Sequence, residues 1–375
     1  GAALTLALTL ALALCAALVV FLPTNGAAGL SRAGPLRSRA NLKPVSLARR
    51  ALCTAMKGGA AGTGVLGNPT WQQTMLRVKD GEKSVQHYQD VYGMTLLDKL
   101  DFPDMKFSLY FLATVKDGEK TPEPGTDDAH RYLWNYPGAT LELTHNWGSE
   151  TEEGEVYHPG NQEKDGFGHI AFACDDVYAS SDSLLTQGVE FKKKPDEGRM
   201  KGLAFAYDPD RYWVEIVRRE PINSPKFNLA QTMLRVKDPK KSLKFYIDHM
   251  GMTLVREKHF EEAKFSLYFL ATIPEGSTEP DPSQPVLELT HNHGTEDDPS
   301  FNHFTGNEDG RKGFGHVGFL VDDVYAKCKE LEEAGFEMKK GPEDGTMKGL
   351  AFALDPDGYW VEIIKRGGYD AKATP

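Results

Sequence analysis

From residue 71 onward, apolar and polar residues alternate in short runs with the two-residue period of a β-strand. "QTMLRV" (73–78) sets Gln73 and Arg77 on one face and Thr74 and Leu76 on the other. "KFSLYFLAT" (106–114) and "LELTHN" (141–146) continue as strands. A second round opens with the strand "GHIAFACD" (168–175) and the helical "DDVYASSDSLLTQG" (175–188). It closes with strands around "VEFKKK" (189–194), "GLAFAYD" (202–208) and "YWVEIV" (212–217).

The pattern then repeats at a spacing of roughly 150 residues, too long for a solenoid. "QTMLRVKD" recurs at 231–238, "GMTL" at 93–96 and 251–254, "KFSLYFLAT" at 264–272 and "LELTHN" at 287–292. "GFGH" occurs at 166–169 and 313–316, and "KGLAFA" at 201–206 and 348–353. In the second copy Asp238-Pro239 predicts a helix start, an N-cap followed by Pro at the first helical position, and Gly251 its stop. Each half reads as two β-α-β-β-β units, four in all, which predicts an α+β fold. The expected organisation is a leader over 1–65, a first domain over 66–220, a linker over 221–228, a second domain over 229–368 and a tail over 369–375.

Charge changes this picture at both ends of the argument. No Asp or Glu precedes Asp80, while nine of the 43 basic residues do, leaving 34 basic against 54 acidic residues beyond that point. Such a surface repels phosphate backbones and excludes nucleic acid as a partner. Residues 1–22 form an uncharged apolar run, followed by a basic, acid-free stretch over 31–59. That two-part leader resembles those of plastid proteins in algae with extra plastid membranes, with the secretory pathway, a mitochondrion or a membrane anchor as alternatives. Processing would leave no stable membrane association. Cys15, Cys53, Cys174 and Cys328 form no C-x-x-C pair, so neither a disulfide framework nor a thiolate zinc site is expected. Cys174 and Cys328 read as buried thiols.

The candidate chemistry lies where strands break their own pattern. Glu215 stands within the apolar "YWVEIV", and Glu362 takes the same place in "YWVEII" (359–364). A buried carboxylate needs a compensating partner. Gln73, Glu142, His169 and Glu215 each put one polar group on a strand, and Gln231, Glu288, His316 and Glu362 repeat the order. Each alone is compatible with a hydrogen-bonded structural residue. The repeated set of two carboxylates, an imidazole and a carboxamide suits a divalent zinc, nickel, manganese or cobalt ion. His145 and His291 point away from that face. His87, His130, His158, His249, His259, His293 and His303 read as surface residues on helices or polar loops.

With these strings in place, residues 71–218 and 227–366, about three quarters of the chain, each resemble a subunit of eukaryotic glyoxalase I (lactoylglutathione lyase), of the vicinal-oxygen-chelate superfamily. The resemblance implies paired βαβββ modules and a metal site in the cleft of each of two curved eight-stranded sheets. In two-chain members each site draws on both subunits, which implies crosswise sites here: Gln73 and Glu142 with His316 and Glu362 (site A), and Gln231 and Glu288 with His169 and Glu215 (site B). The fused chain would then act as a monomer. The implied substrate is the hemithioacetal of glutathione and methylglyoxal, isomerised to S-lactoylglutathione through an enediolate. Glu362 and Glu215 would be the first bases, and Glu142 and Glu288 would serve the other enantiomer. Zinc is favoured, nickel is the alternative, and no redox cofactor is implied.

Family positions that contact glutathione match Arg77, Asn146, Lys312 and Met347 in site A, and Arg235, Asn292, Arg199 and Met200 in site B. The departures are Asp165, where the family has Arg, and Thr346, where it has a basic residue; Lys164, Lys193 and Lys348 are nearby substitutes. Asp165 inverts a charge, which predicts a site B weaker for glutathione. Three rival readings remain: another enzyme of the superfamily (an extradiol dioxygenase or an antibiotic thiol transferase), a metal-free or thiol-dependent binding or transfer protein of the same fold, and one live site beside a regulatory or structural one. A dioxygenase would need a two-His, one-carboxylate triad for iron, and here Gln73 and Gln231 stand in place of the first His.

Overall fold

The computed structural model describes residues 68–198, 200–219, 227–274, 277–281 and 283–368. The leader, residues 221–226 of the linker, the tail and Arg199 lie outside them. Four modules follow one another. The first comprises β1 (Thr70–Val78), α1 (Gly81–Tyr92), β2 (Thr95–Phe102), β3 (Phe107–Ala113) and β4 (Thr140–Asn146), with α2 (Asp127–Leu133) inserted before β4. The second comprises β5 (Phe167–Cys174), α3 (Val177–Thr186), β6 (Phe191–Lys193), β7 (Ala204–Tyr207) and β8 (Trp213–Arg218). The third comprises β9 (Asn228–Val236), α4 (Pro239–Lys244), β10 (Thr253–Phe260), β11 (Phe265–Ala271) and β12 (Val286–Asn292); its helix widens into a π turn over Phe245–His249. The fourth comprises β13 (Phe314–Val321), α5 (Val324–Glu333), β14 (Met338–Lys340), β15 (Ala351–Leu354) and β16 (Trp360–Lys365).

One local device recurs in all four modules. The first strand ends in an aspartate, Asp80, Asp176, Asp238 or Asp323, whose carboxylate accepts a backbone N–H of the following helix's first turn. Each such cap stabilises its helix by roughly 1 kcal/mol. Gly93, left-handed at φ 69°, then lets the chain turn from α1 into β2.

Neither sheet belongs to one half. The first runs β14-β15-β16-β13-β1-β4-β3-β2 and the second β10-β11-β12-β9-β5-β8-β7-β6. The central seams are antiparallel: β1 against β13, with Met75 opposite His316, and β5 against β9, with Met233 opposite His169. Leu76, Leu143, Phe172, Leu234, Leu289 and Phe319 belong to one apolar core cluster that draws on both sheets and both halves. Tyr92 of α1 stacks on Phe172 at 4.2 Å, Phe167 stacks on Phe314 at 5.0 Å, and the Thr74 and Thr232 hydroxyls meet at 2.7 Å. Burying each large apolar side chain contributes about 1.5–3 kcal/mol, so a half on its own would expose much of its stabilising surface.

Residues 115–138, between β3 and β4, contain α2. Thr126 caps it by accepting from Ala129 N–H at 3.2 Å, and Asp127 and Asp128 complement its N-terminus. Cys174 and Cys328 are buried free thiols, as expected. Among the described residues no helix is long and apolar enough to cross a membrane.

Candidate metal centres

Each sheet gathers four ligand-type side chains on one face. In site A, Gln73 on β1 and Glu142 on β4 come from the first half, and His316 on β13 and Glu362 on β16 from the second. The Gln73 Nε2 group donates to Glu142 Oε2 at 2.5 Å and to Glu362 Oε2 at 2.7 Å, and lies 3.1 Å from His316 Nε2. His316 Nε2 lies 3.2 Å from Glu142 and 3.0 Å from Glu362. Gly318 faces Gln73 across the seam, where a Cβ would come within 2.7 Å of Gln73 Cγ; glycine makes room for the amide. Site B repeats this crosswise. Gln231 Nε2 donates to Glu215 at 2.7 Å and Glu288 at 2.6 Å, and His169 Nε2 lies 3.4 and 3.8 Å from the same carboxylates. All eight side chains are buried.

Burial shapes their protonation. It pushes Glu142 up and Glu288 up to about 7, with His316 and His169 respectively opposing the rise. For His316 burial works downward, but the Glu362 and Glu142 carboxylates outweigh it and hold the imidazole at about 9. Thr144 and Thr290 steady the outer oxygens of Glu142 and Glu288, each from 3.4 Å. Each three-residue acid and imidazole group has its ligand atoms within 4.8 Å of one another. The donor set fits a divalent cation: Gln73 Oε1 is buried with no hydrogen-bond partner, while its Nε2 is crowded among acceptors. Half a turn of that amide would offer the unpartnered oxygen to a cation.

The flanking residues sort less simply. Arg77 shares the ligand face, yet its guanidinium donates to the Phe314 carbonyl at 3.2 Å and to Asn307 Oδ1 at 2.9 Å, tying the first half to the second. Arg235 does the same with Phe167 and Asn161 in reverse. Asn146 donates to the Tyr157 hydroxyl at 2.8 Å, whereas Lys312 turns outward to Asp309 at 3.2 Å. Met200, Met347 and Asn292 are half-buried. Lys193 is buried and holds the Leu203 carbonyl at 2.7 Å, so it is no free substitute cation.

Asp165 requires a correction. It does not face a ligand as a bare repulsive charge; it is buried between Arg311 at 2.6 Å and His158 at 2.7 Å, a neutralising link across the halves. The inequality argued from its charge loses its premise. His303 is buried and His87, His130, His158, His249 and His293 are half-buried, so of the seven only His259 is a surface residue. His145 and His291 pair with Glu150 and Glu296, away from the ligand clusters. Arg256 of β10, opposite Phe269, takes the position that Asp98, opposite Phe111, holds in the first half.

Two sheets of paired βαβββ modules, each with a buried amide, imidazole and two carboxylates, define a tandem protein of the vicinal-oxygen-chelate type. The Glyoxalase/Bleomycin resistance protein/Dioxygenase superfamily model matches residues 70–216 and 228–363. Glyoxalase I of Saccharomyces cerevisiae is 42% identical over 307 residues, 78% of this chain and 91% of that protein. The lactoylglutathione lyase of Schizosaccharomyces pombe is 43% identical over 299 residues, 78% of this chain and 95% of that one. The crystal structure of glyoxalase I from Zea mays superposes with a TM-score of 0.59 at 29% identity, covering 80% and 92% of the two chains. The chain belongs to the glyoxalase superfamily, in its glyoxalase I branch.

Proposed function

We propose that this chain is a metal-dependent lactoylglutathione lyase that detoxifies methylglyoxal, with two sites each shared between its halves. The observation that carries the reading is the duplicated cluster of one Gln, one His and two Glu, in a chain similar over most of its length to proteins named for that activity. Gln73, Glu142, His316 and Glu362 would hold one ion, and Gln231, Glu288, His169 and Glu215 the other, zinc in preference to nickel. When bound, the ion supplies positive charge that stabilises negative charge developing on the substrate's two oxygens.

The protein's own groups move the proton. In the hemithioacetal the carbon bearing sulfur loses its hydrogen to a glutamate, and the neighbouring carbonyl carbon receives it. The hydroxyl proton passes between the two oxygens, so a thioester and a new alcohol form without oxidant or reductant. Glu362 and Glu142 converge on the Gln73 amide from opposite sides of the seam, as do Glu215 and Glu288 on Gln231. Glu362 and Glu215 are assigned the first abstraction, and Glu142 and Glu288 the opposite enantiomer. Glu142 and Glu288, raised by burial, are stronger bases than carboxylates in water. Arg77, Asn146, Lys312 and Met347 are assigned to glutathione in site A, and Arg235, Asn292, Arg199 and Met200 in site B. The enzyme works as a monomer, and its leader addresses it to a plastid, which a fluorescent fusion of residues 1–65 would test. Stripping metal and resupplying zinc or nickel tests the reaction itself. Thioester formation that vanishes and returns supports it, and no turnover with any metal in folded protein refutes it.

A further inference from the structure

The two clefts differ along one wall. In the first sheet, Asp98, Leu100 and Phe102 of β2 lie opposite Phe111, Leu109 and Phe107 of β3, which in turn face Glu142, Thr144 and Asn146. Asp98 is withdrawn from the cleft: it is fully buried, accepts from Gly125 N–H at 2.8 Å and lies 3.5 Å from His130 of α2. Leu133 and Trp134 pack in one cluster with Phe111, Leu320 and Ile364, roofing this end with apolar side chains.

In the second sheet the same register brings Arg256, Lys258 and Phe260 of β10 opposite Phe269, Leu267 and Phe265, and these opposite Glu288, Thr290 and Asn292. The connection over 272–285 that replaces α2 carries no helix among its described residues. Arg256 and Lys258 are exposed on the ligand face. The Arg256 guanidinium lies 4.2 Å over the Phe269 ring, and among the described residues no carboxylate comes within ion-pair distance of it. Its strand is two away from that of Glu288, roughly 10 Å at normal strand spacing, and its charge reaches Glu288. Arg219, pinned by the Gln284 carbonyl at 3.0 Å, is held below its ordinary pKa by burial and then by the like charge of Arg256. An open wall with like charges beside a ligand cleft is relieved by an anion, and a guanidinium matches a carboxylate's two oxygens.

We propose that site B selects 2-oxoaldehydes whose far end bears a carboxylate, with Arg256 and Lys258 as its specificity-determining residues, while site A takes short or apolar ones. The proposal rests on the reading of the chain as a lactoylglutathione lyase. The carboxylates of glutathione are common to every substrate, so only the aldehyde's own charge separates the sites.

The test uses the full chain loaded with metal. Glu362→Gln leaves site B, and Glu215→Gln leaves site A. Each is assayed with hemithioacetals of phenylglyoxal and of 4-carboxyphenylglyoxal. The carboxylated-to-neutral ratio of kcat/KM is expected to be about tenfold higher at site B, the worth of one charged hydrogen bond. It should collapse in the added Arg256→Ala/Lys258→Leu variant and fall with ionic strength. Calorimetry gives a readout independent of turnover: S-(4-carboxybenzyl)glutathione should lose about tenfold in affinity at one site of Arg256→Ala/Lys258→Leu, relative to S-benzylglutathione. Equal ratios at the two sites, or a ratio that survives the double substitution, would overturn the proposal. If neither single-site enzyme turns over methylglyoxal hemithioacetal, the lyase reading fails, while the calorimetric comparison still decides the anion preference.

Discussion

A cation entering site A must expel a proton, and the size of that effect follows from His316. With its imidazole held at about 9 by Glu362 and Glu142, only about one molecule in a hundred has a neutral His316 at pH 7. Because a metal binds the neutral ring, the apparent affinity at pH 7 is lowered about a hundredfold, close to 3 kcal/mol. Raising the pH to 9 should recover roughly fiftyfold, since half the rings are then neutral. Where the proton sits within the cluster is immaterial, since Glu142 and His316 titrate together and the group as a whole must release it. The assay is calorimetric titration of zinc into metal-stripped His169→Ala/Glu215→Ala protein, from pH 7 to 9, in buffers of different ionisation enthalpy. Close to one proton should be released per ion at pH 7, falling to about half at pH 9. An affinity flat across that range, with no proton release, would refute the assigned charge state.

Three further outcomes are expected. In metal-free protein, His316 is raised above its ordinary 6.5 and Glu288 above its ordinary 4.5, to about 7, so the folded state binds more protons than the unfolded chain. Stability should then fall as pH climbs from 4.5 through 7 for Glu288, and from 6.5 through 9 for His316, a trend that denaturant titrations would show and added zinc should suppress. Asp165→Asn leaves Arg311 and His158 without their shared carboxylate. The loss should be about 2 kcal/mol, below the roughly 3–5 of a fully buried pair because Arg311 is part exposed, and calorimetry should show a Tm several degrees lower. Residues 68–219 expressed alone should run as a dimer in light scattering, because β1 lacks β13 and the shared core lies open; a stable monomer would contradict the sheet assignment.

The strands and their ligands were legible because a polar residue repeated on an apolar strand has few physical excuses. Of the four aspartate caps only Asp238 was legible, because Pro239 after it marks a helix start; Asp80, Asp176 and Asp323 lack that signal. The crosswise partition was not, since nothing in the spacing of Gln73 and His316 says which seam joins them; that expectation came from the family resemblance. Asp165 misled because its partner Arg311 is 146 residues distant, and charge read locally cannot see a partner brought by the fold. The partners of Arg77 were hidden for the same reason: its Nη1 group donates to carbonyls of the other half. Helix α2 was not legible because it is short and polar, with Ala129, Leu133 and the following Trp134 on the face it buries.

The crossed construction of the sites can be tested by metal count in two double variants. If each site spans the halves, Gln73→Ala/Glu362→Ala damages one site, and the protein should bind one ion per chain and keep activity at the other. Gln73→Ala/Glu215→Ala then damages both, and should bind none tightly and turn over little. The opposite pattern, one ion in the second variant and none in the first, would place each site within a single half and contradict the account.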